Sequence, residues 1–205
     1  GRSIVTMPKR RRNFSRVSGS RRYKRLFVLG VEGSVTEPGY FDLFNSDETV
    51  LKVKCLKSKN DSSPDRVLER LKKYLDENPL RKDDMAWVVI DRDSWEETPI
   101  QKVFDWSAEK ANRGFALSNP NFEFWLLLHF ENGSGVSSSR NCKDRLNRYC
   151  SNYDKEINAS IFTTERIKTA IEYAKRLDPP PGTDWPRRNG STVYRLVEEI
   201  LAKRK

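Results

Sequence analysis

The stretch Met85-Ala86-Trp87-Val88-Val89-Ile90-Asp91-Arg92-Asp93 decides how this chain is read. Six apolar residues run without interruption and stop at an acid. A strand with one wet face alternates; an unbroken apolar run marks a strand covered on both faces, as inside a parallel sheet. Towards the N-terminus, residues 63–78 place Val67, Leu68, Leu71, Tyr74 and Leu75 at helical spacing, with Ser62 or Ser63 as cap and Pro64 near the first turn. Before that helix, residues 50–56 alternate lysines with Leu51, Val53 and Cys55, the pattern of a half-exposed strand. Residues 24–31 form a second buried strand, Gly33 permits a tight turn, and Pro38 suits a first helical position ahead of Tyr40, Phe41 and Phe44.

Towards the C-terminus, Thr98 and Pro99 open a helix whose inner face is Ile100, Val103, Phe104 and Ala108. Residues 114–117 make a short fourth strand, and Asn119-Pro120 opens the apolar helix that contains Phe122, Phe124 and Trp125. Four alternations of strand and helix predict an α/β fold, a mostly parallel sheet with flanking helices joined by right-handed crossovers. After Glu131 the texture changes to a Gly/Ser loop, then helices over residues 141–151, 163–177 and 190–203, with a Pro-rich stretch at 178–186. The expected organisation is a basic arm (1–23), an α/β core (24–132) and a helical C-terminal cap (133–205).

Charge is distributed unevenly. Of 39 basic residues, ten lie within residues 1–25, where there is no acid; the remaining 29 balance the 29 acidic residues. The whole net charge of +10 therefore belongs to the arm. Such a segment cannot bury a core, and its expected use is to tether a polyanion, nucleic acid above all, through Arg10, Arg11, Arg12, Arg21 and Arg22. The bland reading is a solvated tail, with residues 1–6 ahead of Met7 a cloning extension. No apolar run approaches the ~18–20 residues of a membrane span, so no membrane partner is expected. Cys55, Cys142 and Cys150 are an odd set without CxxC spacing, which suits reduced thiols in a cytoplasmic protein rather than a disulfide framework or zinc site.

Two strands end in acids: the first runs into Glu32-Gly33-Ser34-Val35-Thr36-Glu37, the third into Asp91-Arg92-Asp93. Ligands of open parallel sheets bind beyond the carboxyl ends of strands. On an extended segment Asp91 and Asp93 point to the same side, where their charges repel unless a cation lies between them. Hard oxygen ligands suit Mg²⁺ or Mn²⁺. An Asp-x-Asp alone is more often a surface loop; paired with a strand-end glutamate about sixty residues away, it points to a metal site.

These residues resemble the Toprim domain of primases, topoisomerases and OLD-type nucleases. With the stretch Ser118-Asn119-Pro120-Asn121-Phe122-Glu123-Phe124-Trp125-Leu126-Leu127-Leu128-His129-Phe130 added, residues 24–200 are similar to the RloB family of restriction-linked phage-defence proteins. The resemblance implies a Toprim-like sheet, Glu32 as general acid/base or metal ligand, and Asp91 and Asp93 as metal ligands. It makes Glu37 the second glutamate of a nuclease-type site, favouring cleavage over strand passage. Glu123 lies where OLD-type sites add another acid, with Ser118 nearby to orient it or bind phosphate; Asn119 and Glu123 as plain helix caps weigh equally. His129 reads as a satisfied core or interface histidine.

Other candidates for gripping nucleic acid are Arg92, Trp95, and Arg187 and Arg188 beside Trp185, with Trp95 and Trp185 read as exposed and Trp87 and Trp125 as core. Each has an ordinary structural alternative in a loop or sheet. The leading expectation is a divalent-metal-dependent nuclease of DNA or RNA in phage defence, with a partner ATPase left open. The alternatives are a non-catalytic nucleic-acid-binding subunit and a Toprim phosphotransferase acting on small phosphates.

Overall fold

The computed structural model describes residues 23–46, 50–58, 60–92, 95–154 and 156–202; the five arm arginines named above and Asp93 lie outside these residues. Among the described residues, strands β1 (Arg25–Val31), β2 (Leu51–Leu56), β3 (Met85–Asp91), β4 (Arg113–Asn119) and β5 (Gly190–Ser191) form one sheet in the order β2-β1-β3-β4-β5. The first four pair in parallel and β5 joins antiparallel. Seven α-helices accompany them: α1 (Thr36–Phe41), α2 (Pro64–Glu77), α3 (Glu97–Ala108), α4 (Phe122–Leu127), α5 (Ser139–Asn147), α6 (Thr164–Leu177) and α7 (Val193–Leu201). The fold is α/β with a mostly parallel sheet, as the alternation predicts.

Period-two alternation divides the apolar strands between two cores. Phe27, Leu29 and Val31 of β1 join Met85, Trp87 and Val89 of β3 under α1 and α4 to α7. Leu26 and Val28 join Ala86, Val88 and Ile90 on the other face, under α2 and α3. The chain moves one way from β1 to β2, and the other way from β2 to β3 and on to β4. Crossovers of a single hand then require α1 on one face and α2 and α3 on the opposite one, which is the arrangement found. On α2, Ser63 accepts the Arg66 N–H as cap, Pro64 occupies the first position, and Val67, Leu68 and Leu71 are buried.

Several local expectations are corrected. Helix α3 begins at Glu97, and its inner face is Ile100, Val103 and Trp106; Ala108 is exposed because the three-residue spacing carries it round to solvent. Pro38 is the third residue of α1, not the first. Residues 190–192 are not helical. Gly190 and Ser191 pair with Asn119 and Ser118, and Thr192 Oγ1 accepts the Leu117 N–H at 3.0 Å, so this short segment satisfies the outer edge of β4 before α7 starts. At the other edge, Asn45 plays the part of a missing strand: its Nδ2 donates to the Val53 carbonyl (2.9 Å) and its Oδ1 accepts the Val53 N–H (2.8 Å). Arg25, counted with the arm by charge, is instead buried and donates to the Ala202 and Glu199 carbonyls (3.1 and 3.3 Å) at the end of α7. Among the described residues, no helix is long and apolar enough to cross a membrane.

Candidate carboxylate site

The direction of winding reverses between β1 and β3, and the carboxyl ends of these neighbours therefore open into the crevice where α/β sheets bind ligands. Glu32 is the first residue after β1, and Asp91 is the last residue of β3. Pairing of the two strands ends at Val31 and Val89. Beyond it, the Glu32 side chain takes over as acceptor: its Oε1 receives the Asp91 N–H at 3.2 Å and the Trp95 indole N–H at 2.9 Å. Two donors from the far side of the crevice thus fix the orientation of this carboxylate.

Glu37 arrives from the first turn of α1 and is buried. Its carboxyl lies over Gly33, where a Cβ would sit 1.8 Å from Oε2, so the absence of a side chain at position 33 makes room for the acid. Glu123 comes from the first turn of α4. The charges of these acids reach one another. Burial raises the Glu37 pKa from 4.5 to about 7, with Glu123 adding to the rise, against its own backbone N–H and Lys143 of α5. Asp91 keeps part of its surface in solvent while its carboxyl is packed among protein atoms. Desolvation first, then the charges of Glu32, Glu37 and Glu123, hold it well above the usual carboxylate range, although the Phe122 N–H donates to it.

The charges of Glu32, Glu37 and Glu123 thus all reach Asp91, so four of the five sequence-predicted acids share one electrostatic neighbourhood, drawn from three separate segments; the fifth, Asp93, lies outside the described residues. Among the described residues, no three His, Cys, Asp or Glu side chains are disposed to hold one metal ion by themselves. The donor set still fits a hard divalent cation of the Mg²⁺ kind, which keeps several waters and takes one or two carboxylates beside phosphate oxygens.

The remaining candidates are dispersed. Trp95 is half-buried against the α2–α3 core and spends its indole N–H on Glu32. Arg92 donates to the Trp95 carbonyl, while its own N–H continues the ladder to the Ser118 carbonyl at 2.9 Å. Trp185, expected to be exposed, is 1% exposed and packs on Phe104 and Phe115, because the Pro-rich loop folds back over the α3 core. Arg187 stacks on Trp185 at 3.8 Å and pairs with Asp184 and Glu97, and Arg188 is exposed. Ser118 is not available to phosphate: it is fully buried, with its hydroxyl 2.8 Å from that of Ser191. Asn119 is no helix cap, since its amide donates to the Pro186 carbonyl at 3.2 Å. His129 is a core histidine, its Nε2 2.9 Å from the Tyr40 hydroxyl and its Nδ1 against the Trp125 and Leu126 carbonyls; burial lowers its pKa to about 4.

Sequence reasoning missed the indole bond to Glu32, the contribution of Lys143, and the placement of α5 beside the acids. Burial raises the Cys142 thiol to about 12, and Glu123 adds to that rise across the helix boundary. Only the Asp-to-Trp spacing of Asp91 and Trp95 was visible in advance, and it carries no pattern that would single it out.

Fold and site together define an α/β protein with a crowded carboxylate cluster at the switch point of its sheet. The family model of RloB-like proteins matches residues 27–200, a span that includes the whole cluster and leaves the basic arm outside, and the chain belongs to that family. Comparisons with curated proteins and with solved structures found no match.

Proposed function

We propose that the carboxylate cluster binds Mg²⁺ or Mn²⁺ and that the protein is a Toprim-type nuclease, hydrolysing nucleic-acid phosphodiesters in phage defence. One observation supports this reading: the charges of Glu32, Glu37 and Glu123 all reach a desolvated Asp91, at the place where such sheets bind ligands. Crowding of like charges in a poorly solvated crevice is unfavourable by itself, and a divalent cation reverses its sign. When bound, such a cation supplies charge neutralisation at the phosphate and a water of lowered pKa.

The chain's own residues have distinct parts. Glu32 is held by the Asp91 and Trp95 N–H groups and offers its carboxylate in a fixed orientation. Glu37, its pKa raised to about 7 chiefly by burial, would help hold such a cation in its deprotonated form. The neutral body contributes little long-range attraction, so the arm draws in the polyanion.

The test is incubation of the full chain with plasmid, single-stranded DNA, tRNA and total RNA in Mg²⁺ or Mn²⁺. Cleavage is expected, and is expected to fall at least a hundredfold in Asp91→Ala and Glu32→Ala with the circular dichroism spectrum unchanged. A wild-type protein inert on all four polymers in both metals would sink the reading. Turnover of nucleotides without polymer cleavage would select a phosphotransferase instead.

A further inference from the structure

Asn121 is 3% exposed, and neither its Nδ2 nor its Oδ1 has a hydrogen-bond partner. Buried amides in folded proteins are rarely left this way, and each instance calls for a cause. Its position makes the absence more pointed. Asn121 is the N-cap residue of α4, where asparagine ordinarily accepts a helix N–H through its side chain. Ser63, Ser138 and Thr163 do this for α2, α5 and α6. Asn121 does not: the corresponding donor, the Phe124 N–H, goes to the Asn121 backbone carbonyl at 3.0 Å, while the neighbouring Phe122 N–H serves the Asp91 carboxylate. The amide left over stands one residue from the contact with Asp91 and two residues from Glu123.

We propose that Asn121 is a ligand residue of the carboxylate site, its amide oxygen joining the acids in binding a divalent cation or that cation's water shell. The proposal rests on the reading of the cluster as a cation site. An amide oxygen is a hard donor of the kind such ions take, and being neutral it adds a ligand without adding to the repulsion among four acids. It also supplies a donor outside the acidic set, in which no three described His, Cys, Asp or Glu side chains form a complete site. The amide is sealed from solvent and has no bonds to break, so reorienting it toward a ligand costs no hydrogen bond.

The experiment compares full-length wild type with the near-isosteric Asn121→Leu, reading Mn²⁺ affinity by electron paramagnetic resonance of free Mn²⁺ and the melting temperature without metal. The variant is expected to bind Mn²⁺ at least tenfold more weakly and to melt, metal-free, at the wild-type temperature or above it. An affinity within twofold of wild type overturns the role of Asn121. Weaker binding accompanied by a lower metal-free melting temperature identifies a structural amide and overturns it too. Wild type that takes up no Mn²⁺ overturns the cation site itself, and this proposal with it. If leucine prevents folding, Asn121→Ala gives the same comparison.

Discussion

At the scale of single residues, Glu37 ties the site to pH. Its pKa rises from 4.5 to about 7 on folding, chiefly through burial. Between those values the folded protein holds a proton that the unfolded chain has released, so stability is greatest below about pH 4.5 and falls as pH rises to about 7. The loss is on the order of 3 kcal/mol if the full shift is expressed. Asp91, raised for the same reason, acts in the same direction. Metal-free thermal melts across pH 4.5–8 should therefore show a declining melting temperature that Glu37→Gln flattens; an unchanged pH profile in that variant would refute the assignment. Gly33 acts on the same carboxyl by sterics. Gly33→Ala would place a methyl group on Glu37 Oε2, and the expected result is a Mn²⁺ affinity reduced at least tenfold, measured by titration calorimetry.

At the scale of elements, the sheet is closed at its β2 edge by the side chain of Asn45 and at its β4 edge by the two-residue strand β5 with Thr192. Asn45 satisfies Val53 on the outer side of β2, and Asn45→Ala is expected to cost about 1 kcal/mol in urea unfolding and to promote self-association through the freed edge. Arg25 joins the first strand to the last helix through two carbonyls of α7. Removing it by Arg25→Ala should destabilise the protein by about 1–3 kcal/mol, because charged hydrogen bonds to helix-end carbonyls disappear from a buried position. A variant as stable as wild type in urea would show that these bonds contribute nothing net.

At the scale of the whole molecule, the excess positive charge and the carboxylate cluster are segregated. The body has equal numbers of acids and bases after residue 25, and four of its acids share the crevice at the ends of β1 and β3; the positive excess lies in residues 1–25. Deleting residues 1–22 is expected to weaken nucleic-acid binding while leaving the melting temperature unchanged. The logarithmic salt dependence of binding should become shallower by about 0.7–0.9 for each phosphate that the arm no longer neutralises. Equal slopes for the two proteins, measured by fluorescence anisotropy, would assign the phosphate-binding residues to the body instead.

The sequence by itself determined the four parallel strands, through apolar runs such as residues 85–90 and the alternation of residues 50–56, and it located the acids that end two of them, but it read β5 as helix. It also marked His129 as core, since an apolar helix leaves a lone histidine little choice. It could not determine how those ends come together. The strand order, which puts β1 beside β3 and makes their ends a switch point, depends on crossovers whose neighbours lie sixty residues apart. Residues at element ends and in the Pro-rich loop fared worst: Trp185 read as exposed, Ser118 as able to bind phosphate and Asn119 as a helix cap, and packing turned each of them inward or onto a carbonyl. Burial and charge coupling are properties of the assembled crevice. Four carboxylates are ordinary acids along the chain and become a site only where tertiary structure removes water from around them and sets each within reach of the others' fields.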